Sequence, residues 1–227
     1  MSSGSSWDRW PCHHACTAFF KIAAEHVVEH IPEKLALYTD RKGRAEIEVG
    51  YVHFRASHGL PELHEISWAI RVARKKGWGM AFFEMNIGAD QQGFLDLNTR
   101  EGFEVLAPPL SATTDEDRRE FAFRDARGHP VVTLRHQPRG SIPLPFYPFT
   151  TEVWTQPRDG PLQRRLFRWW GTANAHLSPA VASTFADHEF FRGVPAFRAD
   201  PTPFQVMSSA RETWSAAQLF TTPADWA

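Results

Sequence analysis

The eight residues "EISWAIRV" alternate without exception. Ile66, Trp68, Ile70 and Val72 fall on one side, and Glu65, Ser67, Ala69 and Arg71 on the other. A period of two places the segment on a strand with two distinct faces. Arg74-Lys75-Lys76-Gly77 then turns the chain. The following "WGMAFFEMNI" is apolar on both faces, which predicts a central strand. A paired sheet is thus specified early, and every other segment has to be compatible with it.

Further strand signals agree. "AEIEVGYVHFRA" sets Ala45, Ile47, Val49 and Tyr51 against Glu46 and Glu48, and Gly50 suggests a bulge. "REFAFRDARGHPVVTLRHQ" predicts a hairpin turning near Gly128. "FTTEVWTQPRDGPLQRRLFRWW" predicts another, turning at Arg158-Asp159-Gly160; a helix from Pro161, capped by Asp159 and ended by Gly171, is the rival reading. Two helices are expected. "AAEHVVEHIPEKL" is stopped by Pro32, with Val27, Val28 and Ile31 on one face. "LSPAVASTFADHEFFRG" has Ser178 at the N-cap and Pro179 at the first helical position. Residues 1–6 read as a disordered leader, 7–200 as the domain, and 201–227 as a tail wrapping it through Phe204, Trp214 or Phe220. Many strands, few helices and no βαβ rhythm indicate a mainly β, α+β barrel or sandwich.

Composition narrows the function classes. A chain of 227 residues with 42% hydrophobic residues can bury a substantial core. The net charge of −1 gives no field to recruit nucleic acid or acidic membranes. Two cysteines exclude a disulfide framework, and the absence of a long apolar run gives a cytoplasmic expectation with no membrane partner. No dinucleotide or phosphate loop, nucleophile-elbow serine or zinc-protease helix is present, so no cofactor is expected. His26 and His30, four apart, have no further ligands evident in the sequence and read as a solvated pair.

The order of elements carries a resemblance. "FFKIAAEHVVEHIPEKLAL" precedes the hairpin "HEISWAIRVARKKGWGMAFFEMN", which precedes "LNTREGFEVL". Ile31-Pro32-Glu33-Lys34-Leu35 is similar to a hydrophobic-Pro-Glu-Pro-Leu turn, and Arg100-Glu101 stand two residues ahead of Phe103. Over roughly residues 15–200 the chain resembles the acetoacetate decarboxylase family and its broader superfamily. The resemblance implies a closed, cone-like β-barrel with a few flanking helices and a buried pocket.

It also implies a lysine just after the aromatic, made nucleophilic by a neighbouring cation and by desolvation. Here the segment is Phe103-Glu104-Val105-Leu106, and the chain's five lysines, Lys21, Lys34, Lys42, Lys75 and Lys76, all lie elsewhere. Lys21, on the first strand, is the only substitute on offer. Amine-based decarboxylation is therefore not expected.

What the resemblance leaves is an acid–base pocket. Glu65 matches a glutamate that opens the hairpin strand and points inward; its rival reading is a surface residue. Arg100 and Glu101 match an Arg-Glu pair and become candidates for holding a substrate carboxylate, with a structural ion pair as the alternative. Glu104, near the missing lysine, is a candidate base. Phe103 and Trp68 are candidate apolar contacts to substrate.

"WPCHHAC", residues 10–16, falls where the family places a basic pocket residue. His13 or His14 is the candidate, one of them facing inward because strand neighbours alternate. The same alternation argues against a metal site and leaves a plain structural segment as the rival. A Cys12–Cys16 bridge would have to span about 13 Å of strand, whereas disulfides need Cα atoms within about 7 Å.

The expected function is a lyase- or isomerase-type reaction on a small carbonyl or carboxylate compound: dehydration, cyclisation or decarboxylation without a Schiff base. Specialised metabolism is suggested by analogy. The alternative is a non-catalytic protein holding an apolar ligand in the barrel. A small-molecule substrate is the expected partner, and a homo-oligomer is left open.

Overall fold

The computed structural model describes residues 9–74, 79–115, 120–137, 141–144, 149–158, 160–170, 173–177, 180–198, 203–209 and 214–221. The strands are β1 (Arg9–Ala23), β2 (Arg44–Phe54), β3 (Leu63–Val72), β4 (Met80–Ala89), β5 (Ser111–Asp115), β6 (Glu120–Arg124) and β7 (Pro130–Gln137). They continue with β8 (Ser141–Leu144), β9 (Phe149–Thr155), β10 (Gln163–Trp170), β11 (Ala173–Leu177), β12 (Ala180–Phe185), β13 (Gln205–Ser209) and β14 (Trp214–Thr221). Helix α1 covers Gln92–Arg100 and the short α2 covers Pro195–Arg198.

The main sheet runs β14-β10-β9-β4-β3-β2-β1-β13-β11-β8, and β14 also pairs with β1. Arg9, Trp10 and Pro11 lie opposite Ala216, Ser215 and Trp214. That contact joins the two ends of a seven-strand run into a ring, the cone-like barrel that the sequence suggests. Strands β12-β7-β6-β5 form a separate sheet.

Alternation in β2 and β3 assigns the two faces. Ile47, Val49 and Tyr51 are paired with Ile70, Trp68 and Ile66, and all six are at most 1% exposed. They join Phe121, Phe123, Val132, Leu134 and Phe185 in one cluster, with the Tyr51 and Phe121 rings stacked at 4.0 Å. The outer face of the barrel is thus covered chiefly by the second sheet, where the sequence suggested helices.

Other expectations change too. Residues 180–185 form β12, not a helix; the register Val181↔His136 to Phe185↔Val132 stitches them to β7, and the β-branched Val181 and Thr184 suit that pairing. Ser178 and Pro179 lie outside the described residues. The segment after Ala23 forms two single 3-10 turns, Ala24–His26 and Val28–His30; Val27 is fully buried while Val28 is 54% exposed, so they do not share a face. Gly50 sits in unbroken register, and the irregularities within β1–β4 fall instead at His13 and Met85. Residues beyond 200 supply β13 and β14 to the main sheet.

Two hairpins are as expected: β6–β7 with Gly128 at φ +82°, and β9–β10 around residues 157–160, not a helix. Arg74 is described, but residues 75–77 of the expected turn lie outside the described set. Helix α1 has no sequence-based forecast. Its end is closed by Gly102 at φ +81°, whose N–H donates to Thr99 O. A Cβ at Gly102 would stand 2.7 Å from Pro157 Cγ, so the turn requires glycine.

Trp68 tests the two-layer packing. It is fully buried and donates Nε1–H to Phe190 O at 2.7 Å. Trp68→Ala is expected to lower unfolding free energy by about 3–5 kcal/mol. Trp68→Phe, which leaves Phe190 O with only the Asn86 Nδ2 donor at 3.2 Å, is expected to lower it by about 1 kcal/mol. Denaturant titration measures both, and wild-type stability in Trp68→Phe would refute this packing.

Candidate active site

The face of the sheet opposite Trp68 lines the barrel interior. Its two ends are apolar. Val52, Phe54, Leu63, Ile87, Ala89, Phe103 and Val153 pack together at one end; Phe19, Ala69 and Phe82 pack at the other, with Phe204 against them. The strand register puts a polar band between them. Phe19 lies opposite Glu48, Glu48 opposite Ala69, and Ala69 opposite Glu84. Glu65 lies four residues before Ala69 on the same face, opposite Val52 and Ala89.

Thr17, Glu48, Glu65, Ser67 and Glu84 each keep partial surface, whereas the outward-facing residues between them are buried. Yet Glu48, Glu65 and Glu84 are enclosed by protein. Side chains that are enclosed but still accessible border an internal space. Gly50 helps to keep that space open: a Cβ there would point at Ser67 Oγ (3.4 Å), Glu48 Oε1 (3.8 Å) and Thr17 Oγ1 (3.9 Å).

Burial pushes the Glu48 and Glu65 carboxyls up to about 7. Glu84 is raised well above the usual range, first by burial and then by the neighbouring charges of Glu48 and Glu65. Its Oε1 is buried with no hydrogen-bond partner among the described residues. Three carboxyls that cannot all ionise share protons near neutral pH, and unequal environments separate a proton donor from a proton acceptor. Glu84 is the group that stays protonated; Glu48 and Glu65 are poised between forms.

One buried cation faces the same interior. Arg165 lies opposite Val153 and is 1% exposed. Its guanidinium sits 4.3 Å from the Phe103 ring centre, donates to Gln163 Oε1 at 2.8 Å, and has Glu101 Oε2 at 3.9 Å. Burial lowers it to about 10, which leaves it charged at neutral pH.

The sequence candidates therefore divide. Glu65 lies in the interior, and Phe103 packs at its apolar end. Glu101 is half-buried beside Arg165. Arg100 is exposed at the end of α1. Glu104 alternates away from Phe103 and lines a cleft of ≈ 480 Å³ together with His30, Glu84, Arg158 and Arg192; it is exposed and 3.6 Å from Arg192. Trp68 lies on the opposite face of the sheet from Glu65.

Neither histidine of the opening motif reaches the interior. The bulge at His13 leaves Cys12 opposite Phe54 and His14 opposite His53, so His14 turns outward and stacks on Phe121 at 5.2 Å. His13 pairs with Glu62 at 2.8 Å. Cys12 and Cys16 are buried and are not joined in a disulfide.

Glu48, Glu84 and Arg165 escaped sequence reasoning. Glu48 was signalled: once the Glu65 face is inward, the polar face of its partner strand is inward too. Glu84 was signalled as the one carboxylate in a strand apolar on both sides. Nothing in "LQRRLFRWW" separates Arg165 from its neighbours.

The lysines that the structure describes do not restore an amine nucleophile. Lys21 has Asp40 Oδ2 at 3.2 Å and Glu46 Oε1 at 3.6 Å, anions where an activated amine needs a cation. Lys34 and Lys42 are exposed.

The chain superimposes on acetoacetate decarboxylase from Legionella pneumophila with a TM-score of 0.64 at 10% identity, covering 96% of this chain and 88% of that one. It is similar to the enduracididine biosynthesis enzyme MppR with bound pyruvate, at TM-score 0.58 and 13% identity over 97% of this chain and 90% of that one. It is also similar to an acetoacetate decarboxylase-like enzyme from Sphingomonas wittichii RW1, at TM-score 0.54 and 10% identity over 96% and 94%. No protein-family model and no curated protein matches the sequence. The chain has the acetoacetate decarboxylase-like fold. Among the described residues, no helix is long and apolar enough to cross a membrane.

The interior carboxyls make a stability prediction whose sign is fixed. Glu65 titrates near 4.5 when unfolded and at about 7 when folded. Between those values the folded state holds more protons, so stability falls as pH rises from about 4.5 to about 7. Glu65→Gln removes this dependence. The variant is expected to gain on wild type by about 2–3 kcal/mol on going from pH 4.5 to pH 8. Parallel denaturant titrations at both pH values measure it, and parallel pH profiles would refute the enclosed carboxyl.

Proposed function

We propose that the chain is a lyase- or isomerase-type enzyme that moves a proton on a small carbonyl-containing carboxylate inside the barrel. The observation that carries this is the enclosed trio of Glu48, Glu65 and Glu84 facing one internal space. Buried carboxyls without a cationic partner are costly to keep. A proton-transfer role gives a reason for keeping them.

The roles follow from environment. Glu65, with Glu48 sharing its charge, accepts a proton from the carbon next to the substrate carbonyl. Glu84, which stays protonated, donates to the oxygen on which charge develops. Arg165 attracts the substrate carboxylate toward the Phe103 end, with the ring and Glu101 fixing its guanidinium. Carbonyl activation here proceeds by hydrogen bonding and not through an iminium. Dehydration, cyclisation and decarboxylation all fit such a site. The pyruvate held by MppR supports a 2-oxo acid as the first probe. The apolar ends of the interior also suit an apolar ligand without chemistry, but the convergence of three carboxyls favours the enzyme.

The test uses pyruvate in D2O, with loss of the methyl proton signal followed by NMR. Wild type is expected to exchange the methyl protons, with a rise through about pH 7 as the base ionises. Glu65→Gln is expected to bind pyruvate but exchange about 10²-fold more slowly. Arg165→Met is expected to weaken binding. Undiminished exchange in Glu65→Gln would remove Glu65 from the reaction.

A second measurement concerns the missing amine. Borohydride added with pyruvate or acetoacetate is expected to leave the protein mass unchanged. A stable adduct on Lys21 would overturn the non-covalent mechanism.

A further inference from the structure

The bulge that turns His14 away from the interior also assembles a second cluster. Strand β1 carries one extra residue between Cys12↔Phe54 and His14↔His53, and that residue is His13. A bulge places two residues opposite one and re-aims a side chain. His13 thereby escapes simple alternation and comes beside His53, with ring centres 4.7 Å apart. Glu62, just before β3, reaches the same place.

The donor atoms converge. His13 Nε2 is 2.8 Å from Glu62 Oε1, and His53 Nε2 is 3.9 Å from Glu62 Oε2. One ligand atom from each of the three residues falls within 4.8 Å of the others. Two imidazoles and a carboxylate around a tetrahedral zinc ion, with bonds of about 2.0–2.2 Å, stand about 3.3 Å apart. The two imidazoles approach different oxygens of Glu62, so the carboxylate stands between them, and side-chain rotation within the 4.8 Å spread would draw all three onto one ion. His53 is braced from behind by the ring of His64, stacked at 4.2 Å. The His13 and Glu62 side chains are 37% and 57% exposed, which gives an ion a route in and leaves its remaining positions to water.

We infer that His13, His53 and Glu62 form a binding site for one divalent transition-metal ion of the zinc class, on the outside of the barrel and separate from the carboxyl trio. Two nitrogens and one oxygen suit Zn²⁺ or Fe²⁺ better than the all-oxygen cations Mg²⁺ and Ca²⁺. A bound ion would fasten the bulge of β1 to the loop before β3. The alternation rule, which speaks against metal at this motif, fails here because the bulge breaks the alternation.

The test is calorimetric titration of tag-free protein with zinc chloride, together with visible absorption on adding cobalt(II). One equivalent of zinc is expected to bind, cobalt is expected to give tetrahedral absorption bands, and zinc is expected to raise the melting temperature. His13→Ala and Glu62→Gln are each expected to weaken zinc binding at least tenfold. Both positions are partly exposed, and circular dichroism checks that the variants fold; the two very different substitutions must agree. His129→Ala, at the surface pair with Asp125, is expected to bind zinc like wild type. Absence of stoichiometric binding in wild type would overturn the site. So would binding unaffected by both His13→Ala and Glu62→Gln, or lost on His129→Ala instead. Pyruvate exchange plays no part in this readout, so the two proposals fail independently.

Discussion

The pairing of Arg9–Pro11 with Trp214–Ala216 is the contact on which the interior depends. Without it the main sheet is an open ribbon, and the face carrying Glu48, Glu65 and Glu84 has no opposite wall. The fifteen residues of β1 make closure possible. One edge pairs with β2 from Cys12 to Ala23, while the other serves β14 at its beginning and β13 further along. A strand that serves three neighbours changes direction along its length. The bulge at His13, just past the contact with β14, adds local bend and twist. Closure and bulge are two aspects of one geometric demand.

The interior that results is sorted by the partners of its carboxylates. Glu46 and Glu48 are two residues apart on the same face of β2. Glu46 has Lys21 at 3.6 Å and a short contact from Arg71, whose guanidinium lies 3.9 Å from the Tyr38 ring centre. It belongs to a set of ion pairs at the rim with Lys21 and Asp40. Glu48 has no ion pair among the described residues, and its carboxyl is pushed up by burial alone. The same residue type on the same strand is structural in one place and chemically poised in the next. What separates them is whether a cation is within reach.

The legible part of the fold was the part set by short-range pattern. "EISWAIRV" gave both its strand and its faces, because a period of two fixes which side is buried. The hairpin at Gly128 was legible because its turn residues leave few alternatives; at 157–160 the same residues also suit a helix start, and strand pairing decides for the hairpin. Residues 180–185 were misread: Ser178 and Pro179 form a helix-start signal, but pairing with β7 outweighs it, and that pairing is a long-range fact. The 3-10 turns after Ala23 were misread as a helix because burial singles out Val27, not a whole face. Of the site, Glu65 was legible through resemblance and strand parity together. Glu48 needed only the same parity carried across to β2. The His13 bulge left no mark in "WPCHHAC", so every inference from alternation there inherited a wrong premise. Arg165 depends on the register between β9 and β10, which local sequence does not determine.

The resemblance implies a pocket in which a cation beside a lysine makes the neutral amine available. Here the segment after Phe103 holds no lysine, and the interior face carries Glu48, Glu65 and Glu84, which have no ion pair among the described residues. The electrostatic device is the same with its sign reversed. In a pocket rich in positive charge, like-charge repulsion and burial favour an amine without its proton. In a pocket rich in negative charge, they favour a carboxyl that keeps its proton. Glu84 is that group, raised by burial and by Glu48 and Glu65. A neutral acid beside a partly ionised one supplies donor and acceptor at the same pH, which is what a proton transfer needs and an iminium does not. Arg165 is set apart against Phe103, where in the proposed reaction it attracts an anionic substrate without cancelling the repulsion that holds the proton on Glu84. The missing lysine and the unpaired carboxyls thus point the same way, to a pocket whose field favours a retained proton.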